Sequence, residues 1–261
     1  MIVIKFGGHA MIDEHGAFAQ AIFDAIASGV TPLVVHGGGP QIGEALTRAG
    51  ITSSFVGGFR VTTPETFEVV ERVLAQEVGP AVAQSLVTHG VDAVSVSGRT
   101  AGTLIAEPLT QLVDGTPANL GLVGVVSVVN PSVLLELVEA GKVPVVSPIA
   151  TDAAHTHGYN VNADLAAAAI AGAVDAEMLI IMTDVEGIYR NWPDKESLIS
   201  AICAEELASI KGSFAEGMAP KVQACLDAID AGAKAVRIID GTNPSALKKA
   251  LLGEGGTLVV A

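Results

Sequence analysis

Two lysines stand where local rules disfavour them. Lys5 falls inside the apolar run Ile2 to Phe6, and an ammonium in such a strand is costly to bury unless it meets an anion. Lys221 falls near the start of a helical segment over residues 222–231, where the positive end of a helix opposes a cation unless an anion is present. Three consecutive glycines, Gly37, Gly38 and Gly39, follow the apolar pair Val34-Val35 and precede Pro40, which opens helical spacing. Bare peptide N–H groups at such a strand-to-helix turn suit a phosphate or carboxylate, although a tight turn alone is the plainer alternative. A second unit of the same kind comes earlier, with Gly7 and Gly8 after the first strand.

Other polar residues gather at helix starts. Arg60 stands beside the helix opened by Pro64, and its planar fork suits a carboxylate as well as it suits solvent. Asn160, Asn162 and Asp164 precede an alanine-rich helix over residues 165–174. Capping needs one such residue, so the surplus points to recognition. His155 and His157 form an H-x-H pair without nearby cysteine or carboxylate spacing and read as hairpin residues. The dinucleotide fingerprint G-x-G-x-x-G is not matched at the glycine loop, no G-x-S-x-G elbow accompanies the H-G-G-G stretch, and no G-K-[ST] follows any glycine loop.

The elements that must position these residues alternate. Strands are expected at 2–6, up to Val35, 91–96, 123–129, 143–147, 177–182, 236–240 and 257–260. Helices are expected at 17–28, from Pro40, at 64–89 with Thr62 or Thr63 as cap, and at 131–140, 165–174, 222–231 and 244–252. Residues 51–61 read as a glycine-rich loop, residues 97–106 as an exposed hairpin able to cover a site, and residues 189–197 as a polar excursion. Alternation of strand and helix predicts an α/β fold with one continuous body, in two lobes meeting near residue 175. Ligands in open α/β sheets gather at the carboxyl edge, where Asp184 to Gly187 turn after a strongly apolar strand.

The 261 residues are half hydrophobic, enough for a sizeable core, and their formal charge is −14. That balance argues against nucleic-acid and anionic-membrane partners, which need a basic face. An anionic ligand must then meet local lysines and amides. Cys203 and Cys225 are expected as buried thiols in a reducing compartment. No signal peptide or bilayer-length apolar run is visible, so a cytoplasmic protein is expected.

Six ordered motifs span the chain: K-F-G-G at Lys5 to Gly8, H-G-G-G at His36 to Gly39, G-F-R-V-T at Gly58 to Thr62, N-V-N-A-D at Asn160 to Asp164, T-D-V-E-G at Thr183 to Gly187, and G-M-x-x-K at Gly217 to Lys221. Together they resemble the amino acid kinase family, and within it the branch that phosphorylates N-acetyl-L-glutamate with ATP. The resemblance implies an open αβα sandwich around a mainly parallel sheet. Residues 1–175 would form an N-terminal lobe for the acyl amino acid and for dimerisation, and residues 176–261 a C-terminal lobe for ATP.

The resemblance also implies roles. Lys5 and Lys221 would flank the transferring phosphoryl group, Asp164 would orient both, and the amides of Gly7, Gly8, Gly38 and Gly39 would line the phosphate path. Gly38 and Gly39 would also meet the substrate, whose α-carboxylate Arg60 and Asn160 would grip beside Asn162. Asp184, Val185, Glu186, Gly187, Ile188 and Tyr189, with Ser213, Phe214 and Ala215, would border the nucleotide. Mg²⁺ would be bound through the ATP phosphates, with no metal held by the protein. A homodimer is implied, not inhibited by arginine through the extra N-terminal helix of arginine-inhibited members, because the first strand begins at Ile2. His9 and Ala10 vary from commoner forms. A docking signalling protein is left open. The rivals are a kinase of carrier-protein-bound α-aminoadipate and a non-catalytic nucleotide-binding sensor. The arginine and asparagine motifs argue against the first, and the presence of both lysines against the second.

Overall fold

A computed structural model of the chain describes residues 1–11, 16–112, 114–214 and 218–261. Strand β1 (Ile2–Phe6) passes through a 3₁₀ turn at Gly8–Met11 towards helix α1 (Ala17–Ala27), and β2 (Pro32–His36) leads into α2 (Gly39–Arg48). A two-stranded ribbon follows, β3 (Phe55–Val56) and β4 (Phe59–Arg60), where a loop was expected. Next come α3 (Pro64–Glu71), α4 (Gly79–Thr88), β5 (Ala93–Ser97), β6 (Leu104–Pro108), β7 (Val123–Val129), α5 (Ser132–Glu139), β8 (Val143–Ser147), β9 (Ile149–Thr151) and β10 (Gly158–Val161). The chain ends with α6 (Ala163–Ala173), β11 (Met178–Thr183), β12 (Ala201–Cys203), α7 (Ala204–Ile210), α8 (Ala219–Asp230), β13 (Ala235–Asp240), α9 (Ala246–Leu251) and β14 (Thr257–Val260).

The central sheet has the order β12-β14-β13-β11-β1-β2-β8-β5, and of its described pairs only β13 with β14 is antiparallel. Strands β6, β7, β9 and β10 close a small barrel beside it. Both sheet faces are covered by helices, which is why the strands read as unbroken apolar runs. One buried cluster joins Val3, Leu33, Leu179 and Ile181 to α6 and α8. The other joins Ile4, Phe6, Val34 and Ile180 to α1 and the α3–α4 region. Side chains alternate along a strand, so Lys5 shares the face of Val3 and points towards α6 and α8. No described helix is long and apolar enough to cross a membrane.

Three local expectations are corrected. The helix expected over 64–89 is interrupted by a π-helical turn at Arg72–Val78, with Gly79 N–H bonded to the Leu74 carbonyl. The cause is written in Gly79-Pro80: proline has no N–H to give and would crowd the carbonyl four residues back, and a widened turn relieves that clash. Of the two threonines expected as cap of α3, Thr63 serves, its Oγ1 accepting from Thr66 N–H at 3.1 Å. Residues 97–106 do not form an exposed hairpin, because Gly102, Thr103 and Leu104 are buried and β6 enters the small barrel. Cys225 is buried as expected, but Cys203 is exposed on the edge strand β12.

Candidate active site

Three elements deliver three charges to one point. Lys5 comes from β1, Asp164 from the first turn of α6, and Lys221 from the first turn of α8. Asn162 caps α6, its Oδ1 accepting from Asp164 N–H at 2.9 Å and Leu165 N–H at 3.3 Å, which fixes where the carboxylate leaves the backbone. Lys5 Nζ is 3.0 Å from Asp164 Oδ1 and Lys221 Nζ donates to Oδ2 at 2.8 Å. Lys5 also donates to the Met182 carbonyl at 3.3 Å.

Burial works to raise the Asp164 carboxyl, but Lys5 and then Lys221 outweigh it and hold the group down at about 2. At neutral pH the cluster therefore carries two ammonium groups against one carboxylate. One positive charge is left over, largely shielded from water, in a chain whose total charge is −14. Such a surplus is an invitation to an anion.

Two cavities meet at this cluster. The smaller, about 250 Å³, is lined by Gly37, Gly38, Gly39, Arg60, Asn160, Asn162 and Asp164. The larger, about 790 Å³, is lined by Thr183, Asp184, Val185, Tyr189, Arg190, Asn191, Trp192, Ser213, Phe214 and Met218. Lys5, Gly8 and Lys221 line both. The two glycine loops lie back to back, and a Cβ on Gly37 would stand 3.3 Å from Gly7 Cα. At Gly7 a Cβ would meet the Lys5 ammonium at 2.8 Å, so the lysine reaches the cluster only past a residue without a side chain.

Arg60 is held in the smaller cavity from three sides. It bonds to the Ser53 hydroxyl, donates to the Gly39 carbonyl at 3.2 Å, and lies over the Phe55 ring at 4.6 Å. Burial lowers its guanidinium pKa without removing its charge. Thr62 joins the two residues expected to face a carboxylate: its hydroxyl donates to the Arg60 carbonyl at 2.8 Å and accepts from Asn160 Nδ2 at 3.1 Å.

The expected site residues divide accordingly. Lys5, Gly8, Asp164 and Lys221 come together with Gly38, Gly39, Arg60, Asn160 and Asn162 around the smaller cavity, and Asp184, Val185, Tyr189, Ser213 and Phe214 around the larger. Gly7, Glu186, Gly187 and Ile188 line neither. Ile188 is buried in the core and its N–H donates to Thr257 Oγ1 at 2.8 Å, while Glu186 accepts from the Tyr189 hydroxyl at 3.1 Å. Ala215 lies outside the described residues. Sequence reasoning passed over Arg190, Asn191, Trp192 and Met218, which line the larger cavity, and Ser53, Phe55 and Thr62, which hold Arg60 and Asn160. The aromatic pair Tyr189 and Trp192 inside a polar stretch was the available signal.

Comparison with known proteins shows the family. The model of the amino acid kinase family matches residues 1–240. The chain is 48% identical over 263 residues to an acetylglutamate kinase of Nocardia farcinica (strain IFM 10152), covering 99% of this chain and 86% of that one. It is 46% identical over 263 residues to an acetylglutamate kinase of Rhodococcus jostii (strain RHA1), covering 99% and 85%. Among solved structures, the smu.665 protein of Streptococcus mutans UA159 superposes with a TM-score of 0.83 at 26% identity, over 100% of this chain and 98% of that chain.

Proposed function

Because this chain belongs to the amino acid kinase family, we propose that it is the kinase that transfers the γ-phosphoryl group of ATP to the side-chain carboxylate of N-acetyl-L-glutamate. The products are N-acetyl-L-glutamyl 5-phosphate and ADP, and the place of the step is arginine biosynthesis. The observation that carries the reading is the pair of cavities joined at Lys5, Gly8 and Lys221. A two-substrate transfer between anions needs such a junction.

In this reading the acyl amino acid occupies the smaller cavity, with its α-carboxylate towards Arg60 and Asn160. ATP occupies the larger one, bordered by Asp184, Val185, Tyr189, Ser213 and Phe214. A carboxylate is already nucleophilic at neutral pH, so no general base is required. Its oxygen attacks the γ-phosphorus, the bond from that phosphorus to the β,γ-bridging oxygen breaks, and the electron pair leaves with ADP. Lys5 and Lys221 offset the negative charge that builds on the transferring group, and Asp164 keeps both ammonium groups aimed at the gap. The division of labour is that of residues 1–175 for the acyl substrate and residues 176–261 for the nucleotide.

Among the described residues no three His, Cys, Asp or Glu side chains gather as a metal site, and Asp164 is committed to two ammonium groups. At the junction of the two cavities the described residues thus present ammonium groups rather than a set of metal ligands. Mg²⁺ belongs to the reading as the companion of ATP, carried by the phosphate oxygens. A homodimer in the cytoplasm completes it; light scattering of the purified chain should give about twice its 26.4 kDa.

The deciding experiment is a coupled ADP-release assay with N-acetyl-L-glutamate, free glutamate, aspartate and aminoadipate as acceptors. Turnover with the first well above the other three is expected. Preference for another acceptor overturns the substrate, and no ADP release with any of them overturns the enzyme.

A further inference from the structure

The glycine loop after β2 has a weakness that its composition creates. Gly37, Gly38 and Gly39 carry no side chains of their own to oppose rotation of a peptide unit, so the Gly37–Gly38 peptide is intrinsically free to turn over. Among the described residues the only cis peptide is Trp192–Pro193, so this one is trans, and its carbonyl and the next N–H point in opposite directions. One orientation offers the Gly38 N–H to the smaller cavity. The other offers the Gly37 oxygen, which repels a phosphoryl group or a carboxylate.

We propose that His36 is a positioning residue for the transfer: through its Nδ1–H it locks the Gly37 carbonyl on the far side of the loop and so keeps the Gly38 N–H turned to the anions. This rests on the kinase reading above. His36 ends β2, its side chain is fully buried, and its Nδ1 lies 2.7 Å from the Gly37 oxygen. A carbonyl oxygen has no hydrogen, so Nδ1 is the donor. The Gly37 N–H is committed as well, to the Phe6 carbonyl at 2.7 Å. Both polar groups of Gly37 are therefore tied away from the cavity that Gly37, Gly38 and Gly39 line.

The other ring nitrogen shows that packing alone does not explain a histidine here. His36 Nε2 is buried with no hydrogen-bond partner among the described residues, a cost that leucine or methionine would avoid. The fold also makes room for the ring. A Cβ on Gly79 would lie 3.0 Å from His36 Nε2 and 2.6 Å from Ser95 Oγ, so the glycine that ends the π turn is the space the imidazole uses. Burial lowers the ring pKa to about 4, and the neutral ring carries its one proton on Nδ1.

Three variants test the lock. His36→Leu keeps the apolar bulk and loses the donor. His36→Asn keeps a nitrogen at the δ position, and His36→Gln moves it one carbon further. His36→Leu is expected to lose about a hundredfold in kcat, with KM for both substrates within about threefold and a thermal midpoint no lower than the parent's. His36→Asn should stay within about tenfold of the parent, and His36→Gln should resemble His36→Leu. Amide exchange across residues 34–42, measured without substrates, should quicken in His36→Leu and not in His36→Asn. A folded His36→Leu with kcat within about threefold of the parent overturns the proposal, as does equal impairment of His36→Asn and His36→Leu. If His36→Leu fails to fold, an active His36→Asn beside a crippled His36→Gln supports it, and equal activities overturn it. A parent chain silent towards every acceptor counts against the kinase reading alone, and the exchange comparison then decides for His36.

Discussion

At the scale of single residues, the site is a question of uncompensated charge. Lys5 and Lys221 share one carboxylate, so deleting either leaves a neutral pair where a net cation had been. For Lys5→Ala and Lys221→Ala the expected loss is about 10²- to 10³-fold in kcat, with ATP affinity changed by about threefold or less; titration calorimetry beside steady-state rates separates the two. Arg60→Ala should act the other way. The KM for the acyl amino acid rises by roughly tenfold or more while the KM for ATP stays level, because Arg60 lines only the smaller of the two cavities. Asp164 governs acid stability. Its carboxyl takes up a proton near 3.8 in the unfolded chain and only near 2 in the folded one, so between those values the unfolded state binds more protons and stability falls with pH. Denaturation curves of the parent and Asp164→Asn should differ most above about pH 4 and converge towards pH 2. Both lysines were legible because each breaks a local rule. Thr62 was not, since a buried hydroxyl between an arginine carbonyl and an asparagine amide is indistinguishable in sequence from a helix cap.

At the scale of elements, the alignment of Asp164 with Lys221 depends on how closely α6 and α8 approach. Their far ends meet at Gly172, where a Cβ would lie 2.3 Å from Ala231 Cβ and 3.0 Å from its carbonyl oxygen. Gly172→Val should therefore lower the thermal midpoint, by an amount corresponding to about 1–3 kcal/mol, and reduce kcat through the splayed amino ends of the two helices. An unchanged midpoint would show that the helices yield freely. Strand positions were readable because burial on both faces writes long apolar runs, and helices because their periodicity differs. The π turn was legible in Gly79-Pro80, whereas the reason for a glycine at that point lies 43 residues away in the ring of His36. The β12–α7 unit escaped because both pieces are short and follow a polar loop, with Ile202 and Leu207 as their buried anchors. The β6 stretch was misread as exposed since its cover, the rest of the small barrel, is assembled from β7, β9 and β10 further along the chain.

At the scale of the molecule, the sheet crosses from one half of the chain to the other at β1 and β11. Ile2 pairs with Met178 and Lys5 with Ile181, while the other side of β1 pairs with β2. Residues 1–175 expressed alone would present that bare margin of β1, so they should form soluble aggregates or bind a strand from a second copy; a monodisperse folded monomer in size exclusion would contradict this. Similarity of order between motifs and elements made the α/β class readable, whereas the strand neighbours were not, because a register of Lys5 with Ile181 leaves no mark in either segment. The seam has a consequence for biosynthesis. During translation β1 precedes its partner β11 by about 175 amino acids, some ten or more seconds at ordinary ribosome speeds. For that interval a nascent polypeptide carries an open, apolar margin, and its yield in a cell should depend on the chaperones that wait at the exit tunnel.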